Sequence, residues 1–260
     1  MADRWVNEHK RDSWRRQAKE QGYRARSAWK LRQIQDRYRL LRKGDTVLDV
    51  GCHPGGWTQV AVEQVGEEGL VVGVDILPCI PVEGAKLLLG DITDSMIQEQ
   101  VLEELGERPL NAIVSDISPD ITGNWATDQA VSIDLVIQVL DFSLPLLCSG
   151  GSFVTKVFQG TGIDELILVL REHFSKVRRY SPEASRNSSS EVYVVCRNHH
   201  AWKVDGETLQ ERWERAVSRL DGGGEEDRSE SIKGLRIVRR SSSDTNEADS
   251  GIVGTKDSEE

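Results

Sequence analysis

Short apolar runs alternate with stretches of helical period through most of the chain. The run Thr46 to Gly51 is β-branched and apolar, as in a buried strand. Similar runs at 70–75, 86–90, 110–116, 151–158, about 175–180 and 191–197 predict six more strands. Helical periodicity falls between them, at about 57–65, 94–104, 127–148 and 162–173. Such alternation predicts an α/β domain with a mostly parallel sheet and helices on both faces. The last strand follows its predecessor through a Ser/Asn-rich loop with no helix between them. It is therefore expected to run antiparallel, in a hairpin at the sheet edge. Ahead of the sheet, residues 1–20 look helical and basic. Ser27–Tyr38 predicts a second helix with Ala28, Leu31, Ile34 and Gln35 near one face and Ser27 as its cap. Residues 205–220 place Leu209, Trp213, Ala216, Val217 and Leu220 at roughly helical spacing. From Asp221 onward the chain is rich in Gly, Ser, Asp and Glu and reads as a disordered tail. The organisation expected is a basic N-terminal extension (1–43), a catalytic domain (44–204), a C-terminal helix (205–220) and an acidic tail (221–260).

Charge sharpens that division. The whole chain carries a formal net charge of −10. Residues 1–43 hold 14 Lys+Arg against 5 Asp+Glu, leaving 19 against 38 for residues 44–260. Local fields steer a polyanion, so the acidic total does not exclude a nucleic-acid partner. Trp5, Trp14, Tyr23, Trp29 and Tyr38 lie within the basic segment and could stack on bases. A pair of amphipathic helices packed on the domain would look the same. The N-terminus is charged, no signal peptide is apparent, and no uninterrupted apolar run approaches the ~20 residues of a bilayer span. Cys52, Cys79, Cys148 and Cys196 are far apart and form neither a zinc signature nor a disulfide framework. Free thiols in a reducing cytoplasm, and no metal, are the simplest expectation.

The chemistry concentrates at strand ends. Asp49-Val50-Gly51-Cys52-His53-Pro54-Gly55-Gly56-Trp57 is a strand, a glycine loop and a helix start, the layout of a nucleotide-type cofactor site. A dinucleotide fingerprint would need glycine where His53 stands, and the loop lacks the lysine of a triphosphate site. Asp75, Asp91 and Asp116 end three later strands, with Asp75 placed to accept from ribose hydroxyls. An acid-lined, glycine-walled pocket suits a sulfonium cofactor without phosphates, S-adenosylmethionine. An ordinary strand-turn-helix without cofactor is the competing reading of the loop alone. Lys156 lies inside the apolar run Gly151–Phe158, where a lysine is costly unless paired. Lys30, Asp116 and Glu191 would each pass singly for a solvated or capping charge.

Taken together, five segments resemble the FtsJ-like (RrmJ-type) ribosomal RNA 2′-O-methyltransferase family. They are Tyr23–Leu31, Pro54–Trp57, Ser115–Pro119, Val154–Gly160 and Ser185–Tyr193, in the family's order over about residues 20–200. The resemblance implies a Rossmann-like methyltransferase fold with a seven-stranded, mostly parallel sheet and an antiparallel last strand. It implies a catalytic set of Lys30, Asp116, Lys156 and Glu191. Its S-adenosylmethionine contacts fall on Gly55, Trp57, Asp75, Asp91 and Asp116. Cys52-His53 departs from the small residues usual in that loop. The expected activity is 2′-O-methylation of large-subunit ribosomal RNA, at a uridine, by a cytoplasmic monomer that reaches RNA through its basic segment. A transfer-RNA anticodon-loop methyltransferase is the nearest alternative, and a non-catalytic RNA-binding assembly factor the next. Lys156 would serve as general base or as stabiliser of the developing oxyanion.

Overall fold

The computed structural model describes residues 14–185, 191–200 and 208–220. By contacts the chain divides into Met1–Leu220 and Asp221–Glu260. The acidic tail, residues 1–13 and most of the Ser/Asn-rich loop lie outside the described residues. Helix α1, described over residues 14–20, leads into α2 (Ala28–Tyr38). Then follow β1 (Thr46–Val50), α3 (Gly56–Val65), β2 (Leu70–Asp75), β3 (Ala85–Leu89), α4 (Ser95–Leu105) and β4 (Leu110–Ser115). The chain continues through α5 (Trp125–Ser143), β5 (Leu147–Phe158), α6 (Ile163–His173), β6 (Phe174–Tyr180), β7 (Glu191–His199) and α7 (Leu209–Leu220).

The strands form one seven-stranded sheet in the order β3-β2-β1-β4-β5-β7-β6. Strands β1 to β5 pair in parallel, and β7 runs antiparallel to both β5 and β6. The last strand therefore lies inside the sheet, and β6 takes the edge. Strand order reverses between β1 and β4, so the crevice at their carboxyl ends is where an open α/β sheet binds ligands.

Alternation along the strands divides the core in two. Leu48, Val50, Ile113, Phe153 and Val157 face the layer of α4, α5, α6 and α7. Val47, Val114, Val154, Tyr193 and Val195 face Ala28, Leu31 and Ile34 of α2 and Trp57, Val60 and Ala61 of α3. Burying Leu31 and Ile34 completely contributes roughly 2 kcal/mol each. The N-terminal helix is thus part of the core.

Two boundaries differ from expectation by more than two residues among the sheet and the helices that cover it up to β7. The helix predicted to reach 148 stops at Ser143, because Pro145 cannot continue the α-helical ladder. A single 3-10 turn, Leu144–Leu146, leads directly into β5, which starts at Leu147 rather than 151. Ser27 stands before α2 but its side chain makes no capping bond. Its carbonyl instead accepts from the Trp57 indole N–H at 2.9 Å. By length and composition, Trp125–Leu146 is the described helical stretch that could cross a membrane. Ile133, Val136, Ile137, Val139 and Leu140 bury its apolar face against the sheet layer.

Candidate active site

The loop after β1 is shaped by close approach. A Cβ on Gly51, whose φ is +79°, would lie 2.8 Å from the Ile117 Cα in the loop after β4. Glycine at 51 lets the two loops touch at the crevice. Gly55 (φ +106°) precedes α3, and a Cβ there would meet the Arg24 guanidinium at 2.8 Å. Arg24 binds the carbonyls of Pro54, Ile80 and Pro81, and its own N–H donates to Gln59 Oε1 at 3.0 Å. One side chain from the basic segment thereby ties the loop after β1 to the loop after β2.

Asp75 does the same from the sheet side. Its Oδ2 accepts from the His53 N–H and its Oδ1 from the Leu77 N–H, both at 2.8 Å. Asp91 is exposed after β3, and its Oδ1 accepts from Thr93 N–H (2.9 Å) and Oγ1–H (2.8 Å). The Trp57 side chain is buried, tied to Ser27 and 5.7 Å from the Tyr193 ring. Only its main chain, in the first turn of α3, is available to a ligand in the loop.

Beneath the loop, Asp49 is fully buried within β1. Its Oδ2 accepts from the Thr58 hydroxyl at 2.7 Å, while Oδ1 has no hydrogen-bond partner among the described residues. Burial pushes this carboxyl up to about 7, and Asp116 and Asp75 push it in the same direction. Asp49, with an orphaned oxygen and two further acids acting on it, is a strained carboxyl that a cationic ligand nearby would relieve. A sulfonium cofactor with an ammonium group fits that donor set. The Cys52 thiol nearby is raised by burial and is inert packing. Among the described residues no cluster of His, Cys, Asp and Glu could hold a metal ion.

The second cluster forms where β4, β5 and β7 meet α2. Lys156 lies opposite Tyr193 in the β5–β7 register, and Phe158 opposite Glu191. Period-two alternation then puts Lys156, Glu191 and Tyr193 on one face, the face covered by α2. Lys156 Nζ donates to the Asp116 carbonyl at 2.8 Å and lies 3.4 Å from Asp116 Oδ1. The Tyr193 hydroxyl donates to the same Oδ1 at 2.9 Å. Lys30, buried on α2, pairs with Glu191 and stands 5.5 Å from the Tyr193 ring centroid. The four expected charges are thus two ion pairs joined through one tyrosine. Neither lysine points into bulk solvent: each is less than a tenth exposed.

Tyr193 was not singled out from sequence, although its position two residues beyond Glu191 on a strand gives it the same face. Burial and the neighbouring Asp116 and Glu191 raise its hydroxyl well above the usual range. It is a proton donor here. Asp49 was also passed over; an acid inside the β-branched run of β1 was the available signal. Arg24 had none, since its partners are carbonyls of three distant residues.

Residues 23–199 match the model of the family described as FtsJ-like methyltransferase. The chain is 40% identical over 219 residues to "Ribosomal RNA large subunit methyltransferase E" of Methanothermobacter thermautotrophicus, covering 84% of this chain and 100% of that one. It is 42% identical over 196 residues to the protein of the same name from Marinobacter nauticus, covering 75% and 95%. A solved Plasmodium falciparum structure, described as a ribosomal RNA methyltransferase, superposes with a TM-score of 0.62 at 27% identity. It covers 68% of this chain and 98% of its own.

Proposed function

The chain belongs to the FtsJ-like methyltransferase family, and from that premise we propose that it methylates a ribose 2′-hydroxyl of large-subunit ribosomal RNA, at a uridine. Support comes first from one observation: Lys30, Asp116, Lys156 and Glu191 meet around Tyr193 beside the glycine loop. The names of the relatives support ribosomal RNA as the acceptor. S-adenosylmethionine, when bound, supplies an electrophilic sulfonium methyl group. Gly55, the main chain at Trp57, Asp75, Asp91 and Asp116 are the residues we assign to holding it.

A ribose hydroxyl is a weak nucleophile and loses its proton as the new O–C bond forms. The Lys156 amine donates to the Asp116 carbonyl and pairs with its carboxylate at 3.4 Å, and its position turned away from Asp116 is the one we assign to the acceptor hydroxyl. In the neutral amine that position is a lone pair that takes the proton. In the charged amine it is a donor that steadies the oxyanion. Asp116 orients Lys156 in either form, and Tyr193 holds the carboxylate by the same Oδ1. Glu191 orients Lys30, which adds a second cation to the anionic acceptor. In the basic segment, Arg15, Lys19, Arg24 and Arg26 line a cavity of about 380 Å³, suited to backbone phosphates. We read the enzyme as a cytoplasmic monomer.

The test is transfer of labelled methyl to large ribosomal subunits, free ribosomal RNA and transfer RNA in parallel, mapped by resistance to alkaline cleavage. Label at a 2′-oxygen of a uridine in large-subunit RNA is expected. Label confined to transfer RNA would replace the substrate, base methylation would refute the chemistry, and no transfer would leave a binding protein.

A further inference from the structure

The loop between β4 and α5 ends in a tryptophan that the fold leaves in solvent. Trp125 is 48% exposed at the first position of α5. The segment that carries it is well built. The Asp128 carboxylate accepts from the Thr122 N–H (2.8 Å), the Thr122 hydroxyl (2.7 Å) and the Gly123 N–H (3.2 Å). The Asn124 side chain accepts from the Thr127 N–H and caps α5. The indole lies against Phe158, with ring centroids 5.9 Å apart. Phe158 is itself fixed, its N–H donating to the Ser132 hydroxyl of α5 at 3.2 Å.

Position gives this exposed ring its meaning. Phe158 ends β5 two residues beyond Lys156, opposite Glu191. Two residues of strand span about 7 Å. The ring is thus packed on the residue that ends the strand carrying Lys156, at the end of β5 where the proposed reacting centre lies. From Asp116 to Thr127 the chain has no Lys or Arg, so this loop is not built to hold phosphate. An exposed aromatic packed near a proposed ribose site suits the flat face of a base.

We propose that Trp125, backed by Phe158, is the stacking platform for the RNA base adjacent to the ribose held at Lys156. The inference rests on the ribose-methylating reading above and adds a substrate-positioning residue to it. Its occupant is a nucleobase of a splayed, single-stranded segment.

The experiment compares wild type, Trp125→Ala and Trp125→Phe on a ribosomal RNA fragment containing the methylated site. The same fragment is made with a single abasic nucleotide on either side of that site. RNA binding is read by fluorescence anisotropy, turnover as kcat and KM, and cofactor affinity by calorimetry. Trp125→Ala should raise the KM for RNA roughly 5- to 150-fold. Its kcat and cofactor affinity should stay near wild type, and Trp125→Phe should recover most of the loss. One abasic substitution should cost the wild type a similar factor and cost Trp125→Ala nothing further. Equal KM values, or equal abasic penalties in wild type and Trp125→Ala, would overturn the proposal. So would a loss confined to whole subunits with fragment binding intact, which would mark a protein contact. Wild type that neither binds nor methylates any RNA would instead remove the parent reading. Should Trp125→Ala melt early, the Trp125→Phe and abasic arms still decide.

Discussion

Asp49→Asn isolates the electrostatics under the glycine loop. In the folded chain the Asp49 carboxyl titrates at about 7, against 3.8 for an ordinary aspartate. Removal from water is the largest cause; the Thr58 hydroxyl opposes it, and Asp116 and Asp75 add to it. Between those two values the folded chain retains a proton that the unfolded chain has lost. Stability therefore falls as pH rises through this window and is level above it. The gap is about three pH units, and at 1.36 kcal/mol per unit it is worth roughly 4 kcal/mol. Asparagine keeps the shape and can still accept from Thr58, but it cannot ionise. The assay is denaturant unfolding of both proteins at half-unit steps from pH 5 to pH 8.5. The stability of the variant relative to wild type should grow by about 1.4 kcal/mol per pH unit up to near pH 7, then stay constant. Burial also raises Asp45, Asp134 and Asp141, but these titrate in both proteins and cancel in the difference. A difference that is flat across the range, or that shrinks as pH rises, would show that Asp49 is already ionised in the fold. The account of an acid-strained pocket awaiting a cation would then be wrong.

Four further substitutions test the two clusters. Lys156→Ala should lower methyl transfer by at least about 100-fold while calorimetric affinity for S-adenosylmethionine hardly changes; retained turnover would refute its role. Asp75→Ala removes the acceptor of the His53 and Leu77 amides and should weaken cofactor binding by about tenfold or more; unchanged affinity would count against the ribose assignment. Arg24→Ala frees the Pro54, Ile80 and Pro81 carbonyls. It should raise the cofactor Kd and speed proteolysis within residues 76–81, and intact protection would show the clamp to be redundant. Tyr193→Phe keeps the ring but loses the bond to Asp116, so kcat should fall about 5- to 10-fold with a nearly unchanged melting temperature; an unaltered kcat would assign the tyrosine to packing.

Much of the fold was legible because its signals are local. β-Branched runs and intervening helical periods predict every strand and every helix of the sheet layers, with boundaries displaced by one to four residues at most on the strand side. The largest error came from Pro145, whose effect on α5 depends on where the helix is forced to stop. The position of β7 inside the sheet was not legible, because a hairpin's pairing partner is decided by which neighbouring strand it can also reach. Lys156 was suspected from a single incongruity, a lysine in an apolar strand, whereas Lys30, Asp116 and Glu191 joined it only through the family resemblance. Their arrangement as two pairs joined by Tyr193 depends on cross-strand register, Lys156 against Tyr193 and Phe158 against Glu191, which periodicity does not supply. Contacts made by backbone carbonyls, such as those of Arg24, leave no trace in residue type at all.

The division at residue 43 marks a change of charge and not of packing. Leu31 and Ile34 are wholly buried against the sheet, and Lys30 beside them reaches Glu191 on β7. Gln35 holds the Leu41 main chain through both ends of its amide, at 2.7 and 2.9 Å. Tyr23 donates to Glu63 on α3 at 2.7 Å, immediately before Arg24 and its grip on the two loops. The same short segment therefore supplies core, a charge paired with Glu191 and a clamp on the loops after β1 and β2, and on the proposed function it would also offer the cationic surface to RNA. A polyanion drawn to that surface would bear on residues one or two positions from those that shape the site. On the proposed function, shared anchorage of this kind would let the segment position the acceptor and the methyl donor in one frame.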